Sequence, residues 1–248
     1  MALGFLSRIP LPAATFAANP NAKLSESADV FPFVGLVVAA PATVFFFLAS
    51  LIWPPAISTA LALIILTMVT GALHEDGLAD CADAFFGAQK VERRLEIMKD
   101  SRIGTFGALA LVFVFALNWA CLTQIAETSG TFGAVAALLV AAAASRAGLV
   151  WHWHVLPPAR ADGLAASQGK PEWNAVVLAA IYSATIAVPL VFWLFGLGVL
   201  IVVLAFVLAG SLGAMIISRA KIGGHTGDTL GFTQKIAELS VLLALASV

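Results

Sequence analysis

Six times along its length this chain runs for about twenty residues with almost no charge, and that repetition decides which solvent it can fold in. The stretches are about Phe33 to Trp53, Ala56 to Leu73, Gly107 to Ile125, Thr131 to Trp151, Ala175 to Phe195 and Gly198 to Ser218. A helix needs roughly 20 mainly apolar residues to cross the hydrocarbon of a bilayer. A soluble domain carries about a quarter of its residues as charges. Here the charged share is 11% against 61% hydrophobic, with a mean hydropathy of +0.99. The sequence predicts an all-α, polytopic integral membrane protein with six to seven transmembrane helices, in a single membrane-embedded domain over residues 1–248. The seventh candidate, Ile236 to Val248, is 13 residues long and reads as an incomplete span or an interfacial tail.

Orientation follows from the lysines and arginines, which concentrate in cytoplasmic loops. Starting inside with Arg8 and Lys23, six crossings return Lys90, Arg93, Arg94, Lys99, Arg102, Arg160, Lys170, Arg219, Lys221 and Lys235 to one face. The opposite loops are short and carry Glu127 as their only charge. The N-terminal segment, about 1–32, contains FLSRIPLP (Phe5 to Pro12) and reads as interfacial, because its prolines interrupt a continuous helix. No basic n-region precedes an adequate apolar core, so it does not read as a signal peptide. Cys81 in a cytoplasmic stretch and Cys121 in a span are expected to be unpaired. His152, Trp153 and His154 read as interfacial, since Trp is common at that depth. A net charge of −1 and the lack of a basic stripe argue against nucleic acid as a partner.

The loop over about 74–106 opens with HEDGLADCAD, His74 to Asp83, which puts five ionisable side chains in ten residues. Asp76, Asp80 and Asp83 are spaced i, i+4, i+7, so a helix aligns them on one stripe with neighbouring Cβ atoms roughly 5 to 6 Å apart. A solvated acidic face is one reading. Against it, apolar residues lie between the acids and no Lys or Arg appears before Lys90. Acids crowded beside a membrane need a compensating cation, and magnesium takes a few carboxylates and completes its shell with water and phosphate. His74 is a candidate base or a structural histidine at a helix end.

Downstream, RRLEIMKDSRIGTFG (Arg93 to Gly107) mixes Lys99, Asp100, Ser101 and Arg102 in one short run, which suits a phosphate or pyrophosphate beside a metal. GGHTGDTLG (Gly223 to Gly231) offers close backbone approach through its glycines, together with His225, Thr226 and Asp228. It is not a P-loop, because no GKS or GKT follows. Arg146 falls within the fourth span, where a charge usually marks a paired or functional site.

Together HEDGLADCADAFFG, RRLEIMKDSRIGTFG, SRAG (Ser145 to Gly148), GGHTGDTLG and FLSRIPLP resemble the cobalamin synthase family, the adenosylcobinamide-GDP ribazoletransferases of cobalamin assembly. The resemblance runs from about Phe5 to the last span, with the motifs in the same order. It implies a Mg(2+)-dependent transfer from adenosylcobinamide-GDP to α-ribazole or its 5′-phosphate, yielding adenosylcobalamin or its 5′-phosphate and GMP. It also implies a bacterial cytoplasmic (inner) membrane location with the site facing the cytoplasm, and a homo-oligomer or a complex with other corrinoid pathway enzymes as possible assemblies. On this reading Asp76 and Asp80 are the expected metal ligands and Asp83 a third ligand or the base, with His74 as the other catalytic candidate. Lys99, Asp100, Ser101, Arg102, Arg146 and the knot Gly223, Gly224, His225, Thr226, Gly227, Asp228 are expected at substrate or phosphate. One departure stands out: Glu75 occupies a position where the family usually has an apolar residue, which would add a carboxylate beside the site. A CDP-alcohol phosphotransferase-like enzyme and an ion-coupled transporter are the competing readings.

Overall fold

A computed structural model describes residues 1–12, 22–160 and 163–247. Part of the expected N-terminal interfacial segment (13–21) and Val248 lie outside the described residues. The helices are α1 (Ala2–Leu6), α2 (Phe31–Ser50), α3 (Pro55–Thr70), α4 (Leu73–Gly87), α5 (Val91–Ile97), α6 (Thr105–Val155), α7 (Trp173–Ile222) and α8 (Gly227–Ala246), with a 3-10 segment at Leu24–Val30 and a single turn at Leu164–Ser167. Among the described residues there is no β-strand, only an isolated parallel bridge between Pro158 and His225.

Four helical stretches are long and apolar enough to cross a membrane: Leu24–Ser50, Thr105–Val155, Trp173–Ile222 and Gly227–Ala246. The α3–α4 pair is a fifth, bent by 89°. Gly71 and Ala72 make that bend by both taking the left-handed conformation, with φ of 63° and 58°. It turns α4 away from the direction of α3 and lays it across one end of the bundle.

Two of the long helices are folded back on themselves. Gly130 interrupts α6 with φ 71°, ψ −176°. A straight helix would hold Asn118 and Ser145 roughly 40 Å apart. Yet Asn118 Nδ2 donates to Glu238 Oε1 at 3.3 Å, and Gln234, one turn before Glu238, donates to Ser145 Oγ at 3.0 Å. Gly196 does the same to α7, with φ 87°, ψ 171°. At one end of α7 Trp173 packs on His154, with ring centroids 5.4 Å apart, while just past the other end His225 N donates to Pro157 O at 2.8 Å. Among the described residues, seven segments can therefore serve as crossings: α2, α3, both halves of α6 and of α7, and α8. The six spans and the turns at Trp53, Gly130 and Gly196 agree with the sequence reading.

The seventh span departs from it. The 13-residue tail is the end of a 20-residue helix that begins at Gly227, inside the glycine-rich stretch expected at substrate or phosphate. Its most apolar window has a hydropathy of 1.2 and is 78% buried, against 2.9 and 22% for α7. α8 packs against α4, α6 and α7 in the middle of the bundle. His152 and Trp153 also move from the expected interface to the interior: His152 is fully buried, its Nδ1 2.6 Å from Thr233 Oγ1 of α8. Both cysteines are buried and free.

The Gly196 turn can be tested without disturbing packing, since a Cβ there meets nothing within 4 Å. Gly196→Ala should lower the thermal midpoint of the detergent-solubilised protein through backbone strain alone, of order 1–3 kcal/mol. Gly198→Ala, helical and equally uncrowded, should be neutral or slightly stabilising.

Candidate active site

The acidic stripe is helical, as its spacing predicts: Asp76, Asp80 and Asp83 all lie on α4. What brings α4 to the start of α8 is the absence of side chains at the crossing. A Cβ on Gly77 would lie 2.7 Å from Asp228 O and 3.0 Å from Asp228 Cα, and one on Gly231 would lie 3.3 Å from His74 Cα. The two backbones touch there, and Asp228 arrives beside the stripe. Thr226 sets the start of α8 as a capping box: its Oγ1 accepts from Thr229 N at 3.3 Å and its N–H donates to Thr229 Oγ1 at 2.8 Å.

Asp83 faces another way. Its Oδ2 accepts from Gly104 N at 2.7 Å and its Oδ1 from Gly107 N at 2.8 Å. These N–H groups belong to the first turn of α6, which has no cap from its own N-terminal residue. Asp83 thus caps α6 from a neighbouring helix, satisfying donors that a helix start leaves open, and pins the 99–104 loop to α4.

Between α4, the start of α8, the end of α6 and the N-terminal segment lies a chamber of about 400 Å³. Asp76, Lys99, Arg160, His225, Thr226 and Asp228 line one part, and His74, Gly227 and Gly231 the floor beneath them. Phe5, Leu6, Phe31, Leu149, Trp153 and Leu230 supply an apolar wall. The loops are locked by a backbone exchange in which His225 N donates to Pro157 O and Ala159 N to His225 O, both at 2.8 Å. That exchange carries Arg160 to Asp228, where guanidinium and carboxylate stand 3.5 Å apart.

The carboxylates of α4 and Asp228 lie in one another's fields. Asp80, half-buried on α4 outside the crossing segments, has its pKa pushed up to about 7, first by burial and then by the fields of Asp228, Asp76 and Asp83. His74 is buried and pushed well below its ordinary value by burial and by the positive charges of Arg146 and Lys235, so it is neutral, and its Nε2 has no partner. His225 is lowered to about 4 by burial and Lys170, and its Nδ1 is likewise unpartnered. Among the described residues no three His, Cys, Asp or Glu side chains converge as they would around an ion held by protein alone.

Several expected substrate residues are elsewhere. Asp100 and Arg102 form an exposed pair with each other, 2.6 Å at the closest, which holds the Asp100 carboxyl down at about 2. Ser101 is exposed, and of this run only Lys99 lines the chamber. Gly223 ends α7 with φ 75°, and Gly224 packs on Pro157. Arg146 is buried inside the bundle, donates to Ala142 O at 2.9 Å, lies in the field of Glu238 and Glu75, and does not line the chamber. Glu75 is also not beside the acids. One residue from Asp76 is about 100° around a helix, and Glu75 points at α8, where Lys235 Nζ lies 3.1 Å from its carboxylate and also pairs with Glu238.

A family model described as cobalamin-5-phosphate synthase matches residues 1–246. The chain belongs to the cobalamin-5-phosphate synthase family. An adenosylcobinamide-GDP ribazoletransferase from Rhizobium etli (strain CIAT 652) is 43% identical over 99% of this chain and 95% of its own length. The corresponding proteins of Sinorhizobium medicae (46%) and Brucella ovis (41%) align over 98% of this chain and 94% of theirs. No solved structure matches the chain.

Sequence reasoning passed over several of the residues that form the site in this cobalamin-5-phosphate synthase family member. Arg160 counted only toward orientation, although the prolines at 157 and 158 marked a rigid approach to it. Phe5 and Leu6 belonged to a segment read as merely interfacial. Trp153 and Leu230 sit on helices whose inner faces no local pattern identifies.

Two substitutions test this geometry. Gly77→Ala must push α4 off the α8 backbone, and overpacking of this kind costs about 1–3 kcal/mol, whereas Gly87→Ala meets nothing within 4 Å; thermal unfolding in detergent should separate the two. Asp80 binds its proton more tightly folded than unfolded, so its ionisation opposes folding increasingly as pH rises from about 4 through 7. Asp80→Asn should therefore raise the unfolding midpoint at pH 8 without divalent ions, by a margin that shrinks toward pH 5.

Proposed function

We propose that this chain transfers the phosphocobinamide group of adenosylcobinamide-GDP to a ribose hydroxyl of α-ribazole or its 5′-phosphate, releasing GMP. The observation that carries the reading is the chamber itself, in a chain matched to its family from end to end: acids and cations from four distant segments meet at its polar part, beside an apolar wall. The CDP-alcohol and transporter readings are set aside by the family membership.

In the transfer, the acceptor oxygen forms a bond to the phosphorus that carries cobinamide. The bond from that phosphorus to the bridging oxygen breaks, GMP leaves with the electron pair, and the hydroxyl gives up its proton. Lys99 and Arg160 face the chamber and supply the positive charge that a leaving phosphate needs. His74, neutral, at the chamber wall and with an Nε2 that no protein group engages, is the candidate to relay the proton. Arg160 also sets Asp228 in place. Asp83, held by two amides, keeps Lys99 beside the acids.

The donor set fits magnesium. Mg(2+) binds through one or two carboxylates plus waters and substrate phosphate rather than in a closed protein cage, and Asp80, raised by burial and then by the fields of Asp228, Asp76 and Asp83, is a carboxyl that a cation would help to ionise. Two of the carboxylates of Asp76, Asp80 and Asp228 would hold it, with water and substrate phosphate completing the shell. Bound there, it would neutralise pyrophosphate oxygens. The basic residues at this end of the bundle support placing the site on the cytoplasmic face of a bacterial inner membrane.

The test is GMP release by purified protein in detergent, given adenosylcobinamide-GDP and α-ribazole 5′-phosphate. Release should require magnesium and should fall at least a hundredfold in Asp76→Asn and Asp80→Asn; a folded wild type that releases no GMP overturns the reading. Because Asp80 keeps its proton up to about pH 7, protons compete with the ion. The magnesium concentration for half-maximal rate should rise as pH falls from 8 to 6, by up to tenfold per unit.

A further inference from the structure

The transferase reading leaves open which part of which substrate the apolar half of the chamber receives. Three nucleobase-sized or larger groups take part in the reaction: the corrin ring, the guanine of the donor and the base of the acceptor. A chamber of about 400 Å³ is of nucleoside size. The corrin ring with its side chains is several times too large to be enclosed. Guanine carries donors and acceptors along its whole edge, and an apolar wall would leave them unpaired, which sites reject strongly. The wall offers Phe5, Leu6, Phe31, Leu149, Trp153 and Leu230. Its one side-chain amide is that of Gln168, whose oxygen already accepts from Leu24 N at 3.0 Å, which leaves the amide only its N–H donors against the several donors and acceptors of guanine.

Two further observations point to an occupant. Trp153 is buried, 2% exposed, and its Nε1–H has no acceptor. The buried imidazoles of His74 and His225 each leave one nitrogen unpartnered, and both line the same chamber. The dimethylbenzimidazole of α-ribazole is flat, carries two methyl groups and has one unprotonated ring nitrogen as its sole hydrogen-bonding group. Its ribose carries hydroxyls. The kinds of partner match: one N–H donor for the one ring nitrogen, and imidazole nitrogens for hydroxyls.

We propose that the apolar half of the chamber is the acceptor-base subsite, in which Trp153 Nε1–H donates to the ring nitrogen of the base, Phe31 and Leu230 enclose its methylated edge, and the ribose turns toward His74, Asp76 and Arg160. This rests on the transferase reading and adds the residues that select the base. Two methyl groups' worth of buried surface corresponds to roughly tenfold in affinity, so the subsite discriminates a methylated from an unmethylated base.

The experiment compares α-ribazole with the unmethylated α-benzimidazole riboside on wild type, Leu230→Phe and Trp153→Phe. Binding of labelled acceptor alone is measured by equilibrium dialysis in detergent, and KM for acceptor and donor in the GMP assay. Wild type should prefer α-ribazole roughly tenfold. Leu230→Phe fills the methylated edge and should erase that preference by weakening α-ribazole selectively, with the donor KM unmoved. Trp153→Phe keeps an aromatic wall but loses the N–H, and should weaken both acceptors about threefold to tenfold. If Leu230→Phe does not run as a monodisperse peak on size exclusion, Trp153→Phe decides. A rise in donor KM with acceptor binding unchanged gives the chamber to guanosine and overturns the assignment, as does unchanged binding in both variants. Failure of the transferase reading is distinct: wild type would then release no GMP with either acceptor, while dialysis still reports whether the chamber takes the base.

Discussion

Everything at the polar end of this protein depends on two helices whose backbones touch. Where α4 crosses the start of α8, Gly77 lies against Asp228 and Gly231 against His74, so no side chain separates the two chains. A methyl on Gly77 would occupy space that backbone atoms already fill, and one on Gly231 would press on the His74 backbone at 3.3 Å. The contact places Asp228, 145 residues or more from the acidic stripe, within its electrostatic reach: after burial, the field of Asp228 is the largest influence that raises Asp80. The glycines of both motifs thus have a packing reason that is independent of phosphate, although close approach to phosphate is what a glycine-rich stretch first brings to mind.

The membrane architecture was legible in the sequence because hydropathy reports contact with lipid. The six spans that were readable are those with large lipid-facing surfaces, such as α7, whose most apolar window has a hydropathy of 2.9. α8 escaped because it faces protein. Enclosed by α4, α6 and α7, it can carry Thr229, Thr233, Gln234, Lys235 and Glu238 in its buried surface, since these side chains find partners where a lipid-facing helix would find none. A helix read as too short was one whose first half is polar on account of being central. The hairpins at Gly130 and Gly196 were legible for the opposite reason: both turns interrupt strongly apolar runs.

Of the site, the acidic stripe could be read from spacing, since i, i+4, i+7 fixes a helical face whatever surrounds it. The partition of roles among the acids could not. Asp83 shares the stripe, but the start of α6 comes close enough to claim both its oxygens, and that depends on where a loop returns. Arg160 and Trp153 enter the chamber because the α6 hairpin and the Pro157–His225 exchange deliver them there. Such arrivals are properties of tertiary closure, and no window along the chain contains them.

Beneath the site lies a cluster of four buried charges whose arrangement accounts for Glu75. Lys235 stands between Glu75 and Glu238, with Arg146 in the field of both acids. Two cations and two anions leave the group neutral, which matters where an uncompensated charge is expensive to bury. Without Glu75, Lys235 and Arg146 would share one carboxylate. Glu75 is therefore the counter-charge of Lys235 rather than a supplementary metal ligand, and through its pairing α4 is tied to α8 by an ion pair one residue from Asp76. Burial first, and then the same positive charges, keep His74 neutral, so the interior cluster adds to the protonation preference of a group at the chamber wall as well as holding the helix that carries it.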